Sequence, residues 1–257
     1  MTEKFTVDDI QKLYAEQAAL HGTSGTSTIQ DMRTRVLEVK ALLPHLRPAM
    51  SVLEVGCGNG YTTTQVLAAF PDIRIKAFDF TPAMIDNAKK LDPDNRVGFF
   101  VGDVLKLDDT QAYDLVFSQR CIQNLVSWDD QKVALANIVR ALKPGGAYIM
   151  QEGFSTGLNN LNEARDELGL EPIPESWHNH FFDEAATIEW MQSLGCVCTQ
   201  QDAFLSGYYF GSRVLLPALM PKGTKVKSSS RLNDYFAALP PAGDFCPMKL
   251  LRFEKHS

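Results

Sequence analysis

Basic charge is in short supply in this sequence: 25 lysines and arginines stand against 31 aspartates and glutamates, a net charge of −6 over 257 residues. A protein that tracks phosphate backbones carries a basic face or stripe. Here the basic residues are scattered, and the one short cluster, Lys222 to Lys227, reads as a solvated loop. Nucleic acid is therefore not an expected partner. Long apolar runs are missing too: none reaches the ~20 residues that a membrane-spanning helix needs, so no membrane partner is expected. Met1-Thr2-Glu3-Lys4 lacks the basic segment and apolar core of a secretion signal. Cysteine is sparse, five residues in all, an odd number without paired spacing. That excludes a disulfide framework and points to a reducing, cytoplasmic setting. Cys196 and Cys198 lie two apart in a strand-like run and would share one face, where packing is expected rather than a metal. No internal repeat or low-complexity tract is present, and no metal site is expected.

What is there is a chain with 45% hydrophobic residues, enough for one substantial core. It is organised around Val52-Leu53-Glu54-Val55-Gly56-Cys57-Gly58-Asn59-Gly60-Tyr61. A short apolar strand runs into a glycine-rich turn, and a helix follows from Tyr61. Glycine at 56, 58 and 60 permits positive φ and lets a ligand approach the backbone. The helix behind turns free N–H groups and a partial positive end towards that ligand, so an anionic or oxygen-rich group is expected there. A second strand, 74–80, delivers Asp79 about twenty residues later, the spacing at which a carboxylate meets the hydroxyls of a ribose. A third strand, 96–101, ends in Gly102-Asp103, and a fourth, 113–117, in Ser118-Gln119-Arg120. A fifth, 147–150, ends in Gln151-Glu152-Gly153. Glycine, acids and polar residues all fall at one edge of an open α/β sheet, the edge where ligands bind.

With these motifs in place, residues 47–153 resemble the class I S-adenosylmethionine-dependent methyltransferases, and beyond Gly153 the similarity is general, to small methyltransferases of biosynthetic pathways. The resemblance implies an α/β fold, a doubly wound, mostly parallel seven-stranded sheet with helical lid insertions, and S-adenosylmethionine as cofactor. It implies that Glu54, Gly56, Cys57, Gly58 and Gly60 lie under the methionine part, and that Asp79 takes both ribose hydroxyls. Phe80 and Met84 would stand near the adenine, Gly102, Asp103 and Val104 at its amino group, and Gln119 beside the cofactor. Leu142-Lys143-Pro144-Gly145-Gly146 matches the turn before the fifth strand. The last strand, 247–255, is implied to insert antiparallel. A nicotinamide dehydrogenase shares the glycine loop and the acid, but it wants a glycine where this chain has Tyr61 and gives no reason for Gly102-Asp103.

One domain is expected, with 1–46 as an N-terminal helical cap, 47–153 as the cofactor core, and 183–205 and 245–257 as the rest of the core. The segments 154–182 and 206–244 leave the sheet pattern and read as substrate lids. Helices are predicted over 8–20, 31–43, 61–70, 129–142, 159–168 and 183–194, with Thr81-Pro82 opening another, and a sixth strand over 196–203. In the second of these helices Val36, Leu37, Val39 and Leu42 would form the apolar face. Tyr14 and the polar loop 22–28 are candidates for closing the cofactor site.

The expected reaction is methyl transfer to oxygen or nitrogen of a small-molecule metabolite, glycan precursor or natural-product intermediate, by a monomer or homodimer. The alternative is a methyltransferase-like protein that binds the cofactor without catalysis. Exocyclic amines of nucleic acids call for an Asn/Asp-Pro-Pro-aromatic motif after strand four, which is Ser118-Gln119-Arg120-Cys121 here. The candidates for general base are Glu152, His178 and His180, because a protonated nucleophile benefits from a positioned acceptor of its proton. Candidates for binding the substrate are Arg120, Trp177, Tyr208 and Tyr209. Arg120 is either a bidentate ligand for an acidic group or the structural partner of Glu152.

Overall fold

A computed structural model of the protein describes residues 5–221, 224 and 230–256. Met1 to Lys4 and the lysines of the 222–227 cluster lie outside the described residues. Strand β1 (Ser51–Val55) forms because Val52, Leu53 and Val55 bury completely between neighbours on both sides, the pattern of a parallel strand covered on two faces. It pairs in parallel with β2 (Arg74–Asp79), Val55 opposite Phe78, and with β4 (Tyr113–Gln119), Val55 opposite Ser118. β3 (Gly98–Val101) flanks β2, and β5 (Leu142–Gly153) flanks β4. β7 (Met248–Lys255) lies antiparallel between β5 and β6 (Cys196–Asp202). The order is β3-β2-β1-β4-β5-β7-β6, a seven-stranded, mostly parallel sheet as the sequence implied.

The helices cover both faces. On one, Ile138, Leu135 and Met191 pack with Leu53, Val116 and Phe253; on the other, Ile85, Val66 and Leu42 pack with Val52, Ile75 and Phe117. These come from α2 (Met32–Leu42), α3 (Tyr61–Ala69), α4 (Pro82–Lys90), α5 (Trp128–Ala141) and α7 (Glu184–Ser193). Ser127 caps α5 by accepting from the Asp130 N–H, and Asp129 and Asp130 sit in its positive first turn. Thr81 holds the extended N-cap position of α4 with Pro82 behind it, but its hydroxyl makes no capping bond. α1 (Val7–His21) begins with a capping box between Thr6 and Asp9.

Three boundaries differ from expectation. β3 starts at Gly98 rather than at 96, because Arg96 reaches back to the Pro71 carbonyl and the Val97 N–H goes to Asp92. β5 starts at Leu142, inside the supposed turn: Leu142 pairs with Tyr113, the register shifts, and Ala147 then pairs with Leu115. Gly145, at φ 73°, takes up the irregularity. α6 (Ser155–Asp166) begins four residues earlier than the predicted helix and grows directly from the end of β5. The chain from 167 to 182 returns to the sheet, where Phe182 bridges Phe154. After β6 come α8 (Ser206–Phe210), a π turn (Gly211–Leu215), α9 (Leu216–Leu219) and α10 (Arg231–Ala238).

Candidate functional site

A cavity of about 1100 Å³ opens at the carboxyl ends of β1, β2, β3 and β4. Its floor is the turn after β1. The N–H groups of Gly56 and Cys57 both donate to the Phe78 carbonyl at 2.9 Å, which fixes the loop to β2. A Cβ on Gly56 would lie 2.1 Å from the Cys121 sulfur, so this glycine lets the turns after β1 and β4 meet. Gly58, at φ 53°, leaves its open side to the cavity and donates its N–H to Asp79 Oδ2 at 2.9 Å. Asp79 Oδ1 accepts the Thr81 N–H at 2.9 Å. Burial pushes the Asp79 pKa up and these two donors pull it down. Its carboxylate thus stands at the cavity wall with its direction set from both sides.

Glu54, Cys57, Phe80, Gly102, Asp103, Val104, Gln119 and Tyr14, all expected near the cofactor, line this same space. Asp103 accepts the Leu105 N–H at 3.0 Å, Gln119 Oε1 accepts the Thr62 hydroxyl at 2.7 Å, and the Tyr14 hydroxyl donates to Asn124 at 2.8 Å. Burial raises the Glu54 pKa to about 8, although Thr63 donates to its carboxyl.

Two residues assigned to the cofactor stand elsewhere. Gly60, at φ 80°, caps α3; a Cβ there would meet Ala88 and Phe99, so it serves packing behind the loop. Met84 is fully buried within α4 and meets the Ser27 hydroxyl.

The acceptor-side candidates divide in the same way. Glu152 is fully buried and is absent from the cavity lining. Its carboxylate accepts from the Ser118 hydroxyl at 2.6 Å and from the N–H groups of Cys121, Ile122 and Gln123, each at 3.2 Å. It therefore holds the turn after β4 and does not face a ligand. Burial raises its pKa to about 7 against those donors. His180 is exposed; its backbone bonds to Gln123 and Gln131, and the residue lines a separate small pocket with Trp128. Trp177 is 55% exposed and stacks edge-on against Phe5 and His178 outside the cavity. Tyr208 is buried with its hydroxyl on Asp31.

His178, Arg120 and Tyr209 do line the cavity. Burial lowers the His178 pKa below its usual 6.5, and its buried Nδ1 has no hydrogen-bond partner among the described residues. Its backbone carbonyl accepts from Asn124, which also donates to Asn179, while Gln123 donates to Asn179 and accepts the Gly153 N–H. Tyr14, Gln123, Asn124, His178 and Asn179 thus form one polar belt. Arg120 sits at φ 51°, its N–H bonded to the Gln151 carbonyl, and its Nε lies 3.2 Å from Glu38 rather than beside Glu152.

Sequence reading missed Arg35 and Glu38. The buried side of α2 is Thr34, Arg35, Glu38, Val39 and Leu42, whereas Val36 is 54% exposed. The Arg35–Glu38 spacing of i, i+3 was the available signal, and the apolar residues on the neighbouring stripe masked it. Arg213, in the π turn, was missed because nothing local distinguishes it.

Residues 52–146 match the model of the methyltransferase domain family. They form a methyltransferase domain. The chain is 36% identical over 125 residues to malonyl-(acyl-carrier protein) O-methyltransferase 1 of Ilyobacter polytropus, covering 48% of this chain and 44% of that one. It is 31% identical over 123 residues to trans-aconitate 2-methyltransferase of Methylobacterium radiotolerans, covering 48% and 45%. The chain thus spans less than half the length of the curated relatives it matches. Among solved structures, the 4+2 cyclase SpnF superposes with TM-score 0.62 at 16% identity, covering 98% and 96% of the two chains. Geranyl diphosphate C-methyltransferase of Streptomyces coelicolor gives 0.60 at 14%, covering 88% and 80%. These likenesses establish the fold of the domain and leave the reaction to be argued from the site.

Proposed function

We propose that the protein transfers a methyl group from S-adenosylmethionine to oxygen or nitrogen of a small molecule. The observation that carries this reading is that one cavity runs from the Gly58–Asp79 cradle to the belt of Tyr14, Gln123, Asn124, His178 and Asn179. Its volume of about 1100 Å³ lies just above the roughly 300–1,000 Å³ range of ligand sites, which suits two ligands side by side.

The residues fit the cofactor. Asp79 offers a carboxylate to two hydroxyls, Gly58 leaves the backbone bare, and Asp103 faces the far end of the same wall. Arg35 is 6% exposed, lines the cavity and has a buried Nε without a partner. It stands 4.8 Å over the Tyr61 ring, at the foot of α3, where the methionine carboxylate would need a cation. When bound, the cofactor supplies an electrophilic methyl, so the protein's task is alignment. Positioning of this kind is worth up to roughly 7–11 kcal/mol. The polar belt holds the acceptor, and His178, kept neutral by burial, takes a proton where the nucleophile carries one. Of the curated relatives, the one named for trans-aconitate supports a small acceptor, and the one named for malonyl-acyl-carrier protein supports transfer to oxygen.

Calorimetry with the demethylated cofactor tests this. Wild-type protein is expected to bind, and Asp79→Ala to weaken binding by about 10²-fold or more, since two charge-assisted hydrogen bonds of about 1.5–3 kcal/mol each are lost. Equal affinity in the variant, with its circular dichroism unchanged, refutes the assignment.

A further inference from the structure

The acceptor end of the cavity carries two guanidinium groups, one of which the protein itself does not satisfy. Arg120 and Arg213 both line it. Among the described residues the Arg120 side chain makes no hydrogen bond; its one ion pair, to Glu38, brings Nε to 3.2 Å without hydrogen-bond geometry. Glu38 is 1% exposed and neither of its oxygens accepts a hydrogen bond from the described residues. The terminal nitrogens of Arg120 are therefore uncommitted donors at a cavity wall. A non-glycine residue in the left-handed region carries a backbone cost that the surroundings must sustain. At Arg120 they do so through its N–H bond to Gln151 and through Gly56, whose missing Cβ lets Cys121 close in.

Arg213 approaches from the opposite insertion. Its guanidinium lies 3.8 Å over the Tyr209 ring, and one edge is tied to Asp31 at 3.1 Å and to the Ser212 hydroxyl at 2.6 Å. Stacking and the Asp31 contact fix the plane of the fork. With Arg35, three guanidinium groups line the cavity and two carboxylates, Glu38 and Asp31, pair with them. Around these groups stand Leu158, Leu161, Ile173, Pro174, Phe181 and Met248, an apolar wall built by α6, the chain after it and the start of β7.

We propose that the methyl acceptor is a carboxylic acid with an apolar body, its carboxylate held between Arg120 and Arg213. This rests on the reading of the cavity as a methyltransferase site. A planar monoanion matches a guanidinium fork bidentately. A phosphate monoester would bring close to two negative charges to Glu38 and Asp31, which lie within contact of these same arginines. The apolar wall accounts for the rest of the acceptor, and the fixed Arg213 plane sets where its acid end can lie.

The test is a ligand-observed magnetic resonance screen on protein saturated with the demethylated cofactor. The probes are matched triplets sharing one aryl or alkyl body: a carboxylic acid, its primary amide and the corresponding phosphate monoester. Acids are expected to bind at least tenfold tighter than their amides, and Arg120→Gln and Arg213→Gln each to abolish that preference. Amides or phosphates binding as well as acids, acids that fail to bind, or an acid preference surviving both substitutions overturns the proposal. Cofactor affinity is measured on the same samples. A protein that does not bind the demethylated cofactor refutes the methyltransferase reading itself, whereas normal cofactor binding without acid preference refutes only the acceptor class. Should Arg120→Gln fail to fold, Arg213→Gln and Arg120→Lys carry the comparison, the lysine keeping charge but losing the fork.

Discussion

At His178 the environment has chosen a protonation state before any ligand arrives. The ring is half-buried, its Nδ1 has no partner among the described residues, and its pKa falls below 6.5 because burial disfavours the imidazolium. A neutral imidazole can accept a proton, and its capacity is lost as pH falls through its lowered pKa. With an acceptor whose nucleophile is protonated, turnover should be flat above pH 6.5 and fall only on the acid side of that value. His178→Ala should lower turnover by about 10²-fold and remove that limb, leaving cofactor affinity unchanged. A pH–rate profile of both proteins checks this; a variant with the wild-type acid limb rules His178 out as the base. Glu152, the other candidate at the same scale, differs in one respect that sequence cannot show: four donors already converge on its carboxylate.

That convergence matters for an element, the turn at 121–123 that follows β4. Glu152, at the end of the neighbouring strand, gathers its three N–H groups and so sets where Arg120, Gln123 and Asn124 stand. Glu152→Gln replaces an acceptor by an amide whose NH₂ opposes these donors, at about 1–3 kcal/mol for a buried group left unsatisfied. The melting temperature should fall by about 2–10 °C, and the acceptor KM should rise more than the cofactor Kd does. An unchanged melting temperature with a lowered kcat would instead restore Glu152 as a base. Legibility follows the same boundary. The strands and the cavity-lining residues Gly58, Asp79 and Asp103 could be read because each of these residues follows or ends a strand within a motif of fixed spacing. The acceptor side could not. His178 and His180 look equivalent in sequence, yet the chain between β5 and α7 turns one into the cavity and the other to solvent. In α2 Val39 and Leu42 bury as the apolar periodicity predicts, but Arg35 and Glu38 share their side while Val36 is exposed, so the charged members of that side were not legible.

For the whole molecule, two buried carboxyls make stability depend on pH in an uncommon sense. Glu54 and Glu152 have folded-state pKa values raised from 4.5 to about 8 and about 7, both by burial. Between pH 4.5 and 8 the folded protein therefore holds protons that the unfolded chain releases, and their contribution to stability declines as pH rises through that window. Asp31 and Asp114, whose pKa values are lowered below 3.8, contribute the opposite slope, but only at more acid pH. Glu54→Gln, which keeps the shape and cannot ionise, should remove one source of the decline. The stability advantage of cofactor-free wild type over this variant should shrink between pH 5 and 8.5 by on the order of 2–4 kcal/mol. Urea unfolding of both proteins at the two pH values measures it, and a constant difference would show that Glu54 ionises freely in the fold.

The position of β7 in the sheet also has a consequence for how the chain is made. It is the last strand to be synthesised, yet it lies between β5 and β6 and completes the hydrogen bonding of both. Until residues 248–255 leave the ribosome, β5 presents an open edge, with Tyr148, Ile149 and Met150 at its centre, and β6 has nothing to join. An apolar edge of this kind templates pairing with other chains. The nascent protein thus passes through a stage in which its cofactor half can be built while its far edge waits, and the closing step joins contacts about a hundred residues apart, a slow class of event. Chaperone demand during synthesis should accordingly concentrate in the interval after β5 emerges and before β7 does.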